Sequence, residues 1–300
     1  MTLEQLRIFL VVAELEHLTQ AAAKLNLSPS AVSAAVRSLE QRYGITLFHR
    51  VGRRIELTET GRTLVPEARA TLAAARAAEQ ALAELGGMLR GCLRIHASQT
   101  IASYWAPPRL VAFRERYPAV EVQIEIGNSQ GVAAAIMEGS ADLGLVEDDT
   151  DMPELHRRAV ATDRLMVVVP QGHPWSDGRP LGAEELAAGR WVMREPGSGT
   201  RSVFEDALRG LGLEPGQLQV VLELPSNESV RSAVQAGPLA AVMSELVAAP
   251  DLAAGRLVQA GLSLPPRAFS MLRHRERQPS RAARALEAIF LEAGPPRPSG

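Results

Sequence analysis

Three polar side chains on one predicted helix, Ser30, Ser33 and Arg37, carry the chemistry that stands out first in this chain. Short hydroxyls and a guanidinium on one exposed face can reach base edges and phosphates of a duplex without clashing with it. The elements that would position them lie in Thr19 to Arg42, TQAAAKLNLSPSAVSAAVRSLEQR. Gln20 to Leu25 places Ala21, Ala22 and Leu25 on one face at helical spacing, and the two small alanines allow a close helix crossing. Asn26 tolerates the left-handed conformation of a helix end. Ser28 suits the N-cap of the next helix, and Pro29 its first position, where the missing N–H costs nothing. Val32, Val36 and Leu39 then face inward, away from Ser30, Ser33 and Arg37. The pattern predicts a helix-turn-helix, with an ordinary αα-hairpin as the alternative.

After Tyr43-Gly44, a C-terminal stop, the chain reads ITLFHRVGRRIELT. Leu47 and Phe48 are apolar anchors, Val51 to Arg54 is a turn with two cations, and Ile55 and Leu57 alternate around Glu56 in strand fashion. A small hairpin with arginines at its tip, directly after a candidate recognition helix, predicts a wing that tracks the phosphate backbone. Such contacts add affinity and salt dependence more than sequence choice.

The stretch from Leu3 to Gly61 resembles the N-terminal domain of the LysR-type transcriptional regulators. It shares the Ala-Ala pair, the Ala-Val-Ser core, the Leu-Glu pair and Leu-Phe-x-Arg at the family's spacings. The candidate DNA-binding residues are Thr19, Gln20, Ser28, Pro29, Ser30, Ser33, Arg37, Arg50, Arg53 and Arg54. The chain departs from the family where many members have Gln-Pro and it has Pro29-Ser30, and where many have a large polar residue and it has Ala34. Base contacts made by that glutamine are therefore not transferred.

The net charge of −2 hides an asymmetry. Up to Arg90 the basic residues exceed the acidic by about two, leaving about −4 for the rest. Lys24 is the single lysine, so arginine carries the positive charge. No opening stretch has a signal peptide's charged start and apolar run, and none is apolar long enough to span a membrane; a cytoplasmic protein is expected. Cys92 is the only cysteine, which excludes an internal disulfide and a multi-cysteine metal site; it reads as a buried, inert thiol on a strand.

Thr60 to Leu85 predicts a long helix. Leu64, Ala68, Thr71, Ala75, Ala78, Leu82 and Leu85 alternate at spacings of four and three, the seam of a coiled coil, and Gly86-Gly87 ends it in a hinge. No other helical pattern nearby would cover that seam, so it predicts a dimer. The resemblance implies the same, a linker helix pairing two subunits so that two recognition helices read two half-sites.

From Gly91 the pattern changes to alternating strands and helices, an α/β fold. Strands are predicted at Cys92–Ala97, Val120–Ile126, Ala141–Glu147, Arg164–Pro170, Arg190–Arg194, Leu218–Leu224 and Arg267–His274. The full expectation is an α-rich winged helix-turn-helix domain over 1–58, a linker helix over 59–87 and an effector domain over 91–300. The resemblance implies a two-lobed effector domain similar to periplasmic solute-binding proteins, its first lobe near 91–160 and 266–293 and its second near 161–265. The tail GPPRPSG is expected to be disordered.

Three places in this half could hold a small molecule. In the run Arg194 to Arg201, Gly197, Ser198, Gly199 and Thr200 form a turn into a helix whose first N–H groups, with the hydroxyls, make an anion site; Arg201 could add charge to it or instead serve a neighbouring carboxylate. Ser98, Gln99 and Thr100 put polar groups at a strand end, where open α/β sheets bind ligands. Asn128 and Ser129 sit between another strand and helix. Structural capping is the alternative for each, and Ser226-Asn227-Glu228 reads as a plain cap. The acidic run Glu147-Asp148-Asp149 with Asp151 reads as a solvated loop.

Enzyme signatures are missing. GSGT lacks the lysine of a phosphate-binding loop, no GxSxG, HExxH or CxxC is present, and the six histidines have no metal-ligand spacing, so neither cofactor nor metal is expected. The expected function is transcription regulation controlled by a small anionic effector. Expected partners are double-stranded DNA, a second copy in a dimer or tetramer, and RNA polymerase. A solute-binding protein or an α/β enzyme is the alternative.

Overall fold

The computed structural model describes residues 1–51, 54–85, 89–147 and 152–292. Arg53, the hinge Gly86-Gly87, the acids Asp148, Asp149 and Asp151, and the tail lie outside the described residues. The chain forms two compact units, Met1–Met88 with Glu138–Ser140, and Leu89–Met137 with Ala141–Gly300.

The first unit begins with α1 (Leu3–Leu15), started by a reciprocal Thr2–Gln5 capping box. Helix α2 (Leu18–Leu25) follows, capped by the His17 side chain, which accepts from the Gln20 N–H; Asn26 ends it at φ 55°. Ser28 caps α3 (Pro29–Tyr43) by accepting from the Ala31 N–H, with Pro29 in the first turn. Ala21, Ala22, Leu25, Val32 and Val36 bury against Ile8 and Val12. The hairpin pairs β1 (Phe48–Val51) with β2 (Arg54–Leu57) in antiparallel register.

Helix α4 (Glu59–Leu85) corrects one expectation. Its seam is not bare at the start: Ala68 is buried with Leu6, Phe9, Leu39 and Leu47, and Leu64 packs against the same cluster. Helix α1 supplies the cover that the sequence pattern did not reveal. Further along, Leu82 stands 70% exposed, so only this later part offers an uncovered apolar position to a partner.

The second unit holds a five-stranded, a three-stranded and a two-stranded sheet among its described residues. The five-stranded sheet runs in the order β4-β3-β5-β12-β6. These strands are β3 (Gly91–Ser98), β4 (Val120–Gly127), β5 (Leu143–Val146), β6 (Leu155–Asp163) and β12 (Arg267–His274). Helices α5 (Pro107–Arg116), α6 (Ser129–Glu138) and the final α11 (Arg281–Glu292) accompany it. Leu93, Ile95, Phe113, Phe269 and Phe290 fill one face, and Val132, Ile136, Val146 and Leu272 the other. Strand β6 was not expected, because LHRRAVATD carries two arginines and lacks an apolar run. It runs to Asp163, close to the lobe boundary expected near 160.

The second lobe centres on β7 (Leu165–Pro170), flanked by β10 (Ala241–Ser244) and β11 (Leu257–Ser263), beside the parallel pair β8 (Arg190–Arg194) and β9 (Gln219–Leu224). Strands β10 and β11 were also unexpected: AVMS is only four residues long, and Gln259 and Gly261 interrupt the apolar run of LVQAGLS. Helices α7 (Ala183–Ala188), α8 (Gly199–Gly210), α9 (Asn227–Ala236) and α10 (Glu245–Ala253) cover the two faces. The chain crosses between lobes twice, after Asp163 and before Arg267, and these two residues are register partners on β6 and β12.

Candidate functional site

On the first unit Thr19, Gln20, Ser28, Pro29, Ser30, Arg37, Arg50 and Arg54 are exposed, and Ser33 is half-buried. Ser28 and Ser30 share a hydroxyl hydrogen bond at 2.9 Å. The exposed side of α3 follows from the inward turn of Val32, Val36 and Leu39. The wing is fixed by two acids. Glu40 Oε1 accepts from the Leu47 N–H at 2.8 Å and the Phe48 N–H at 3.3 Å, joining α3 to β1. Glu16 accepts from Ile55 through its carbonyl and from the Leu57 N–H through Oε1. Neither acid was singled out from sequence for this role, although Glu40 belongs to the Leu-Glu pair.

On the second unit the candidates gather where the two lobes meet. Ser98 ends β3, and its hydroxyl donates to Glu147 Oε1 at 2.8 Å. From the other lobe, Thr200 in the first turn of α8 donates to Glu147 Oε2 at 3.4 Å. Arg267 Nη1 lies 2.9 Å from the same oxygen and donates to Thr200 Oγ1 at 3.0 Å. Its Nε donates to Asp163 Oδ2 at 2.8 Å, while the Ser244 hydroxyl donates to Asp163 Oδ1 at 2.6 Å. All six side chains are buried.

A second knot holds Gln99 and Thr100. The Asn227 N–H donates to Gln99 Oε1 at 2.6 Å, its Nδ2 donates to Thr100 Oγ1 at 3.1 Å, and its Oδ1 accepts from Arg194 Nη1 at 2.7 Å. Asn128 caps the start of α6 through Gly131 and donates to the Pro196 carbonyl. Gly197 takes φ 84°, a backbone that favours glycine. Gly199 is required for a different reason. A methyl group on it would lie 2.8 Å from Ser129 Oγ and 3.1 Å from Glu147 Cβ, so only glycine lets the lobes approach. Ser198 caps α8 without a side-chain hydrogen bond, and Ser129 Oγ, fully buried, has no hydrogen-bond partner among the described residues.

Three sequence readings are sharpened or corrected. Arg201 follows the second of its two readings and serves neighbouring carboxylates: it pairs with Glu205 and Glu223, and it donates to the Arg194 carbonyl. Glu205, one helical turn on, was the signal. The run Ser226-Asn227-Glu228 does cap a helix, through Ser226, but Asn227 also bridges the lobes. Glu147 is not on a solvated loop. It directly follows the apolar strand β5, and that place, ahead of the other acids of the run, was the available clue. Arg267 and Asp163 went unnoticed because their partners are distant in sequence, and Arg194 because its bond to Asn227 spans another helix and strand.

The charges here are tightly held. Burial opposes ionisation of Glu147, but Arg267 and the Thr100 and Ser98 hydroxyls outweigh it and keep the carboxyl below its ordinary range. Burial dominates at Asp163 and pushes it up, with Arg267 and Ser244 offsetting only part. At Cys92, half-buried on β3, burial raises the thiol. Among the described residues no cluster of His, Cys, Asp and Glu could hold a metal, and no helix is long and apolar enough to cross a membrane.

This architecture, a helix-turn-helix with a wing followed by a two-lobed α/β unit, defines a DNA-binding regulator with an effector-binding domain. The family model for the LysR substrate binding domain matches residues 86–295, and that for the lysR-family bacterial regulatory helix-turn-helix protein matches 3–62. The chain belongs to the LysR family of transcriptional regulators. It is 36% identical over 298 residues to the uncharacterised HTH-type transcriptional regulator YeiE of Escherichia coli, covering 99% of each chain. Full-length CbnR complexed with its target DNA superposes with TM-score 0.67 at 21% identity, over 97% of this chain and 98% of that one. The Synechocystis CcmR regulatory domain in complex with 2-PG superposes at 0.63 with 22% identity, over 69% of this chain and all of that one.

Proposed function

We propose that residues 1–58 read DNA through α3 and the wing, that the helix over 59–87 pairs subunits, and that the domain over 91–300 binds a small effector where its lobes meet. Ser30, Ser33 and Arg37 address base edges and phosphates, Arg50, Arg53 and Arg54 the phosphate backbone, with Thr19, Gln20, Ser28 and Pro29 at the margin. The observation that carries the effector reading is that side chains from both lobes, Ser98 and Thr200, converge on one buried carboxylate. A ligand entering there must rearrange contacts that hold the lobes together. It can then shift the balance between lobe arrangements by as much as its affinities for them differ. The CbnR–DNA and CcmR–2-PG complexes support the two halves of this reading by analogy of fold.

In this account the effector carries a negative group, received by the start of α8 and by the Ser129 and Ser98 hydroxyls. The protein acts in the cytoplasm as a homodimer or tetramer, engages RNA polymerase at its promoters, and catalyses no reaction. Thermal-shift screening against small acids and inorganic anions tests the effector half, because a ligand of the native state raises apparent stability. Each hit is then added to a DNA-binding titration. A hit that changes operator affinity supports the reading; hits that leave it unchanged contradict it.

A further inference from the structure

We propose that Glu147 sets the chemical class of effector: the seat between Ser98, Ser129, Thr200 and the start of α8 takes a negative group accompanied by a hydrogen-bond donor, and turns away a bare dianion. A zwitterion, or an oxyanion that still carries a proton, meets that requirement. This inference rests on the effector reading above and makes it more specific.

The start of α8 alone would favour any anion. Ser129 Oγ, completely buried and without a hydrogen-bond partner among the described residues, points to a ligand there. The third wall of the seat is different. Glu147 Cβ and its carbonyl carbon lie within 3.3 Å of the position a Gly199 Cβ would take, so this acid borders the start of α8 and a ligand that parts the two meets it. Among the described residues the guanidiniums around it, Arg267, Arg194 and Arg201, are all engaged by acids. Arg267 is shared between Glu147 and Asp163, one positive charge against two carboxylates. Arg194 is spent on Glu195 and Asn227, and Arg201 on Glu205 and Glu223.

A bare dianion would therefore sit beside an acid whose charge Arg267 only part-balances, and the Ser98 and Thr200 hydroxyls already donate to that acid. In a site shielded from water that repulsion is large. A ligand that turns an N–H or O–H toward Glu147 replaces the repulsion with a charge-assisted hydrogen bond. The same carboxylate thus rejects one class and selects the other.

Phosphate and sulfate are suitable probes, being nearly equal in shape, with phosphate keeping a proton near neutrality and sulfate none. Their affinities for the full-length protein are measured by thermal shift and calorimetry at fixed ionic strength. Wild type should prefer phosphate by about tenfold or more, and Glu147→Gln, with shape kept and charge removed, should gain sulfate binding until the two match. Wild type binding both anions alike, or a variant with no gain for sulfate, would overturn the proposal. Thr200→Val separates the two levels. Anion binding that Thr200→Val weakens but Glu147→Gln leaves unselective-to-begin-with overturns the role of Glu147 alone, whereas binding that Thr200→Val leaves intact lies elsewhere and overturns the effector seat as well. Glu147→Ala provides a second test should the glutamine variant unfold. Acetate should raise its melting temperature and leave wild type unchanged, and equal responses would count against the proposal.

Discussion

Replacing Arg267 with Met keeps most of the side-chain volume and removes the one cation shared by Glu147 and Asp163. Arg267 is 5% exposed, and both carboxylates lie within 3 Å of its guanidinium. Breaking a buried ion pair from one side costs about 3–5 kcal/mol. A second route gives a similar figure. The stranded acids escape by taking up protons, and neutralising an ordinary glutamate, which titrates near about 4.3, costs about 4 kcal/mol at pH 7. For a domain of this size, about 2–4 °C per kcal/mol, the melting temperature should fall by about 6–20 °C.

The assay is urea unfolding followed by tryptophan fluorescence. Trp105, Trp175 and Trp191 all lie in the second unit, so the signal reports that unit by itself. The pH dependence supplies a sharper criterion. In wild type the Glu147 carboxyl is held low, so its contribution is present above the unfolded value and is lost as pH falls through the folded one. In Arg267→Met its folded value must rise above the unfolded one, and the deficit is then largest at neutral pH. The gap between the two proteins should narrow between pH 7 and pH 5, and Glu147→Gln added to Arg267→Met should recover part of the loss. A cost below about 1 kcal/mol, the range of an exposed pair, or a gap that widens on acidification, would refute the reasoning.

Other outcomes follow from separate parts of the molecule. Arg54→Ala should weaken DNA binding across sequences and lower the salt slope by about one, and an unchanged slope would remove its phosphate contact. Thr200→Val should abolish the effector response while DNA binding persists; equal loss of both would contradict the effector seat. Glu40→Ala leaves the Leu47 and Phe48 N–H groups without their acceptor, costing about 1 kcal/mol or more; hydrogen exchange at those two amides should quicken, and unchanged rates would show that Glu40 does not fix the wing. On acidification Asp163, pushed up by burial, should take its proton before Glu147, and carboxyl-carbon NMR showing the reverse order would overturn the assignment of charges.

The helix-turn-helix was legible because its determinants are local. Ser28, Pro29 and the Val32–Val36–Leu39 stripe act within a few turns, and no distant residue can reverse their meaning. The long helix was legible as a helix, yet its covering by α1 depended on Leu6 and Phe9, which no spacing within α4 discloses. The effector seat was half-legible. Ser98, Thr100, Ser129 and Thr200 stand at strand and helix ends, where backbone geometry alone suggests them. Glu147 was hidden by its acidic neighbours, and Arg267 by the length of chain between it and its partners. A buried ion pair across two crossing strands is a property of topology, and β6, one of those strands, was itself missed.

The central claim is that α3 and the wing recognise a particular duplex. The direct measurement is an anisotropy titration of purified full-length protein against DNA flanking its own gene, beside a scrambled duplex of equal length, over a range of salt. The account predicts tighter binding to one flanking fragment, a steep loss of affinity with salt, and loss of the preference in Ser33→Ala combined with Arg37→Ala. Equal affinity for the native and scrambled duplexes at every salt concentration would contradict it.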